Sequence, residues 1–293
     1  MHCKTIGCLL AGLCACLALE TSARAEGLVF PGTRPLGAGG AMRGYATGDA
    51  GPMLNPSGIS LIRSYTVEGG YQYGRSLGSH DARISAVDST SGFNLGGALF
   101  YTYHRDSPAN LPAQTGHLVG GSLSFPFLDK IFLGANLKYV RFCDAASTTR
   151  SGFTFDAGLT VRPFPQIALG AVAYNLRDLD TQWAPRGYGG GLAVLPMPML
   201  LLVFDTVWTK VQGDPGDHVL QFMGGGEFSL AAGAAVRAGG GRDGSSKNAY
   251  FSAGVTAFSA QLGAIDIGLR QDVSGEEKTT IVGVSLRLFV PST

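Results

Sequence analysis

Apolar and polar residues alternate with a period of two along most of the chain, the pattern of strands whose two faces meet different surroundings. Residues 151–162 show it most cleanly, with Phe153, Phe155, Ala157, Leu159 and Val161 set against Thr154, Asp156, Gly158, Thr160 and Arg162. Residues 131–139 repeat it, and near the C-terminus Val282, Val284, Leu286 and Leu288 oppose Ser285 and Arg287. The alternation predicts fourteen strands, at 64–74, 83–90, 93–104, 115–125, 131–142, 151–162, 166–175, 186–195, 199–209, 218–228, 231–238, 249–258, 261–271 and 278–289. The stretch Gly187–Phe204 carries no charge and is long enough to be weighed as a membrane helix. Gly189-Gly190-Gly191 and Pro196-Met197-Pro198 interrupt it, so a hairpin of two strands fits better.

The connections alternate in length. Longer ones at 75–82, 105–114, 143–150, 176–185, 210–217, 239–248 and 272–277 are separated by short ones such as Ser91-Gly92, Pro126–Lys130, Pro163–Pro165, Pro196–Pro198, Ser229-Leu230 and Ser259-Ala260. Tight turns at one rim and longer loops at the other are the layout of an all-β, antiparallel transmembrane β-barrel. The structural rival, a large soluble sandwich, needs polar residues on its outward face, whereas here the more apolar face is wide enough to meet lipid. In a barrel, parity turns Glu68, Lys138, Asp156, Asp205, Glu227, Asp266, Arg270 and Arg287 into the lumen. Opposite signs on neighbouring strands are expected to pair there, because charge away from water is costly alone. Tyr71, Tyr73, Tyr101, Tyr103, Tyr139 and Trp208 lie toward the long-loop ends of their strands, as an aromatic girdle would. The glycines inside strands, Gly96-Gly97, Gly120-Gly121 and Gly224 to Gly226, suit bulges, curvature or close backbone approach.

Composition supports this picture. Of 293 residues, 45% are hydrophobic but only 15% charged, against about 25% charged in soluble domains. The 44 glycines are too many for a helical bundle, and the 16 Phe and 10 Tyr argue against disorder. Lys4, the apolar run from Ile6 to Leu19 and Ala23-Arg24-Ala25 read as a signal peptide over residues 1–25, cleaved before Glu26. A lipoprotein signal ending at Cys16 is the alternative. Removing residues 1–25 takes away Lys4, Arg24 and Glu20, leaving equal numbers of basic and acidic residues, and leaves Cys143 as the lone cysteine. No disulfide framework is expected, and a neutral chain gives no reason to expect nucleic acid.

Residues 26–62 do not alternate. They carry Arg34-Pro35-Leu36-Gly37-Ala38-Gly39-Gly40-Ala41, then Gly48-Asp49, then Asn55-Pro56-Ser57-Gly58. The glycines lack the spacing and the strand–helix context of a dinucleotide loop. The order of these motifs resembles the start of the long-chain fatty-acid transporter superfamily, the FadL and PorV-like barrels. Leu133-Gly134-Ala135-Asn136-Leu137-Lys138-Tyr139 and Leu169-Gly170-Ala171-Val172-Ala173-Tyr174-Asn175 resemble strands of the PorV-like branch. The resemblance implies an N-terminal hatch over 26–62 folded inside a fourteen-stranded barrel of residues 63–293, with Arg34, Leu36, Gly37, Gly39, Gly40, Asp49, Asn55 and Pro56 as the hatch motif. One departure is that no external connection exceeds about ten residues by this reading, so the apolar capture groove formed by long loops in the fatty-acid transporters has no counterpart.

These features predict an exported, multi-pass barrel of the Gram-negative outer membrane. Its leading function is passive transport of hydrophobic small molecules such as long-chain fatty acids. A PorV-like docking role for an envelope or secretion partner is the alternative. Outer-membrane lipid, a hydrophobic ligand and an envelope protein are the expected partners; no cofactor is expected. An enzyme would need a base and nucleophile from His104 with Ser107 or His117 with Ser122, for which no motif speaks. The scattered His80, His104, His117 and His218 lack metal-ligand spacing.

Overall fold

The computed structural model describes residues 30–290, apart from 77, 92–94, 108–111, 145–147, 182, 212–217, 231–232, 261–262 and 276–277. The signal-peptide segment 1–25 and the alternative at Cys16 lie outside the described residues. Fourteen strands form one closed antiparallel barrel. They are β1 (Tyr65–Gly74), β2 (Ser79–Asp88), β3 (Gly96–Asp106), β4 (Gln114–Leu128), β5 (Ile131–Cys143), β6 (Thr149–Phe164) and β7 (Ile167–Tyr174), followed by β8 (Gly187–Met197), β9 (Leu200–Lys210), β10 (His218–Ser229), β11 (Ala235–Arg242), β12 (Ala249–Ala260), β13 (Gly263–Asp272) and β14 (Thr280–Phe289). Each strand pairs with its neighbours in sequence, and β1 pairs with β14 from Thr66↔Phe289 to Gly74↔Ile281, so no edge is left open. The uncharged stretch Gly187–Phe204 is the β8–β9 hairpin, turning at Pro198-Met199.

The strand count matches the alternation, but some boundaries move. β2 begins at Ser79 rather than 83, because its first inward positions are the polar Asp81 and Arg83, which mask the alternation. β11 runs from Ala235 rather than 231 and includes Gly239-Gly240-Gly241, which pair with β10 by backbone alone and carry no side-chain pattern to read. The first pair of connections is consequently reversed, 75–78 being shorter than 89–95. The later ones keep the expected order. Register shifts fall between Pro126 and Leu128, Val161 and Phe164, Val194 and Met197, and Thr256 and Phe258. The first three hold or flank prolines, which cannot donate to a ladder; the fourth does not. The glycine pairs singled out in the sequence are not where the bulges lie.

The outward face is apolar across the wall, with Leu99 71%, Leu123 67%, Leu137 59% and Phe222 56% exposed. Such a surface is stable only against hydrocarbon. At the rim joined by the longer connections, Tyr71 and Tyr73 flank His80, Tyr101 and Tyr103 flank His117, and Trp208 lies against His218 at 3.9 Å between ring centroids. Three of the four histidines among the described residues thus belong to an interfacial aromatic belt, where an amphipathic ring meets both lipid and water. Leu137→Arg, midway along β5, is expected to cost about 2–4 kcal/mol, as arginine does at the bilayer midplane. Denaturant unfolding in lipid vesicles measures it; a loss within about 0.5 kcal/mol, ordinary for a water-facing site, would contradict the lipid-facing assignment.

Candidate functional site

The inward face of the wall is not in contact with an empty lumen. Residues 30–61 cross it as short helices at Thr33–Gly37 and Ala50–Leu54 and 3₁₀ turns at Arg43–Tyr45 and Pro56–Leu61. Almost every residue of this segment is buried. The segment has no ladder with any strand: its backbone bonds within short turns of its own, such as the Leu36 amide to the Gly32 carbonyl, and clusters of side chains from both the segment and the wall tie the two together. Asn55 is the centre of one such cluster. Its amide donates to the carbonyls of Arg43 and Leu159 (3.0 and 3.2 Å) and to Thr160 Oγ1 (3.2 Å), while its Oδ1 accepts from the amide and hydroxyl of Ser57. At the other end, the Gly39 amide donates to Ser252 Oγ (2.8 Å) and its carbonyl accepts from Tyr250 Oη (2.8 Å). Gly39 and Gly40 both have φ of +78°, a turn that favours glycine.

Glycines on the inward face make the crossing sterically feasible. A Cβ at Gly134 would lie 2.3 Å from Ser57 N, one at Gly158 2.2 Å from Asn55 Oδ1, and one at Gly170 2.2 Å from Arg43 O. Gly37 packs directly on Gly254, and Leu36 fills the space over Gly268 and Gly283. Pro56 sits over Gly158. Close backbone approach, one of the readings of the glycine excess, is therefore its main structural use.

The charged residues assigned to the lumen by parity all face inward, and four of the eight, Glu68, Glu227, Asp266 and Arg287, join one alternating row. Arg34 makes a two-point contact with Glu227 (2.7 and 2.8 Å); Arg237 bridges Glu227 (2.6 Å) and Asp266 (3.0 Å); Arg287 bridges Asp266 (3.1 Å) and Glu68 (2.7 Å). Beside Glu68, Asp49 pairs with Arg83, which also donates to the Phe30 carbonyl at 2.8 Å. Burial and the neighbouring Glu68 carboxylate push the Asp49 carboxyl up to about 7, against the pull of Arg83 and Arg287. Elsewhere Lys138 pairs with Asp156 (2.7 Å), and Asp205 accepts from the amides of Met42 and Arg43 (2.8 Å each) and from the Arg43 guanidinium (3.0 Å). Arg270 contacts Asp243 and Asp272 and lies over the Tyr250 ring. Sequence reasoning missed Arg43, Arg83 and Arg237. The last two share inward parity with Ser85 and Ala235, so the signal was present; Arg43 lies in a non-alternating segment and had none.

Between this segment and the rim of longer connections lies a cavity of about 280 Å³. Its apolar lining includes Met53, Leu54, Leu118, Val207 and Met223, its polar lining Gln72, Asp81, His104 and Arg270. Connection 175–186, longer than the expected limit on external loops, turns inward over it. Trp183 and Ala184 are buried with Met53, Phe100, Leu118, Val140 and Phe142. Asn175, in the left-handed region at φ +50°, fastens the connection by accepting from Lys138 Nζ (2.7 Å) and donating to the Pro185 carbonyl (2.8 Å). This connection thus contributes apolar residues, Trp183 and Ala184, to the filling of the lumen.

Neither candidate base–nucleophile pair forms. His104 has both ring nitrogens on carboxylates, Asp81 at 2.6 Å and Asp106 at 3.1 Å, while Ser107 Oγ accepts from Arg105. His117 points outward to Tyr101, whereas Ser122 points inward and donates to Asn136 Oδ1 (2.6 Å). Residues an odd number apart on one strand lie on opposite faces, so this pair cannot meet.

A closed fourteen-stranded barrel with an apolar exterior and a lumen crossed by its own N-terminal segment defines a transmembrane barrel with an obstructed pore. Its fold is that of the FadL-type channels. Similar solved structures include the CymD monoaromatic hydrocarbon channel (TM-score 0.65, 11% identity, 88% of this chain and 98% of that one), the Ralstonia pickettii toluene transporter TbuX (0.66, 12%, 88% and 97%) and a Pseudomonas aeruginosa FadL homologue (0.62, 12%, 88% and 98%). No family model and no curated protein matches the sequence.

Proposed function

We propose that the protein is an outer-membrane channel for small hydrophobic solutes, with residues 26–62 acting as its hatch and the longer connections facing outward. The observation that carries this reading is the partly apolar cavity directly above a segment held to the wall by side chains alone. Contacts of that kind can be exchanged without breaking the barrel ladder. The cavity volume favours a single ring or a short chain over a long-chain fatty acid, since a dry cavity of about 150 Å³ already accepts benzene. The names of CymD and TbuX, a monoaromatic hydrocarbon channel and a toluene transporter, support the same solute class.

The test is to fasten the hatch. Ser57 Oγ and Thr160 Oγ1 are 2.7 Å apart, within the reach of a disulfide. In a Cys143→Ser background, Ser57→Cys with Thr160→Cys is expected to abolish uptake of radiolabelled toluene when oxidised and to regain it on reduction. Unchanged uptake by the oxidised protein would refute a moving hatch. Uptake no higher than in cells lacking the barrel, with a stoichiometric envelope protein co-purifying, would favour the docking role instead.

A further inference from the structure

The outer wall carries a second concavity that the solute path does not use. Across β1 to β6 lies an apolar crevice of about 550 Å³, walled by Ile84, Leu99, Leu137 and Phe153 and floored by the small residues Ala86 and Gly121. Its head is marked by Tyr101 and Tyr139, toward the rim of longer connections. Arg141 lies two residues beyond Tyr139, about 7 Å further along the strand, and directly opposite His117 on β4. Arg105, four residues beyond Tyr101, lies opposite His80 on β2. Both arginines are exposed. Arg105 Nε donates only to Ser107 Oγ, and among the described residues neither guanidinium forms an ion pair.

Exposed cations directly above a lipid-depth apolar crevice call for an amphiphile with the complementary design. Guanidinium groups bind phosphate in charge-assisted, two-point hydrogen bonds, and small floor residues between large ones leave room for an acyl chain. The geometry points to a binding site for a phosphorylated, acylated glycolipid of the outer leaflet, with its phosphate on Arg105 and Arg141 and one chain in the crevice over Ala86 and Gly121. The placement in the outer leaflet rests on the orientation proposed above. The binding itself requires no solute transport, so loss of uptake in the hatch experiment and loss of lipid binding here are separate outcomes.

The test is titration of the purified full-length barrel, in mild detergent, with lipid A, with dephosphorylated lipid A and with phosphatidylglycerol, followed by native mass spectrometry. The parent is expected to bind one lipid A, with the dephosphorylated form at least tenfold weaker. Arg105→Ala with Arg141→Ala removes the cations, and Gly121→Leu fills the crevice. Each is expected to weaken lipid A binding at least tenfold. Arg162→Ala, near the opposite rim, serves as the control and is expected to bind as the parent does. Retained heat-modifiable mobility on gels establishes that each variant is folded. Binding by the double variant equal to that of the parent would overturn the proposal, as would phosphatidylglycerol binding as tightly as lipid A.

Discussion

Asp205→Ala is expected to release the N-terminal segment from β9 and to open the lumen to polar solutes that the parent excludes. One carboxylate oxygen of Asp205 takes three donors from the segment, the amides of Met42 and Arg43 and the Arg43 guanidinium. Both charged partners are almost fully buried. Removing one member of such a pair strands the other charge and costs about 3–5 kcal/mol. The strand ladders remain intact, so the loss falls on the attachment of the segment, the local unit of lower stability. At about 1.4 kcal/mol per tenfold, the detached population rises by roughly a hundredfold to a few thousandfold. Single-channel conductance and sensitivity to bulky antibiotics both read this out. Replacing Arg43 and Asp205 together by leucine leaves no lone charge and is expected to recover part of the loss. Conductance of Asp205→Ala at the parental level would mean that other contacts hold the segment.

The second large effect is expected from the wall itself. Gly158→Val places a Cβ where Asn55 Oδ1 now sits, 2.2 Å away, and 2.9 Å from Pro56 Cδ. The β6 backbone is held on both sides by β5 and β7, so the segment must give way. Asn55 then loses its bonds to Arg43, Leu159 and Thr160. Three bonds at about 1 kcal/mol each, with overpacking of about 1–3 kcal/mol, predict a total near 4–6 kcal/mol for the seated state. Gly69→Ala on β1 is the control, because nothing lies within 4 Å of its added Cβ. Limited proteolysis of the N-terminal segment in folded barrels measures both: rapid cleavage is expected for Gly158→Val, and parental protection for Gly69→Ala. Equal protection would show that the wall, and not the segment, absorbs the added volume.

The two sets of residues behind these predictions were not equally legible. Glu68, Lys138, Asp156, Asp205, Glu227, Asp266, Arg270 and Arg287 could be assigned to the inward face because strand parity is local, set by the two-residue repeat of the backbone. Their partners could not be assigned. Arg34 meets Glu227 across 193 positions of sequence, and Arg287 meets Glu68 across 219. Nothing in either neighbourhood specifies the other. The inward glycines present the same asymmetry. Their excess is visible in composition, but that Gly134, Gly158 and Gly170 vacate space for Pro56-Ser57, Asn55 and Arg43 depends on where the segment crosses the closed barrel.

The sequence by itself determined the barrel: the number of strands, the face each side chain takes and the rim at which the aromatic belt lies. Alternation, turn residues and hydrophobicity act over a few residues, so a linear chain displays them. Only the tertiary structure decided how the lumen is filled, that connection 175–186 folds inward with Trp183, and that His104 is bound between two carboxylates. These features arise when the ladder between β1 and β14 closes and brings distant strands around one enclosed volume. Within that volume a buried charge must find whichever opposite charge the closure places beside it.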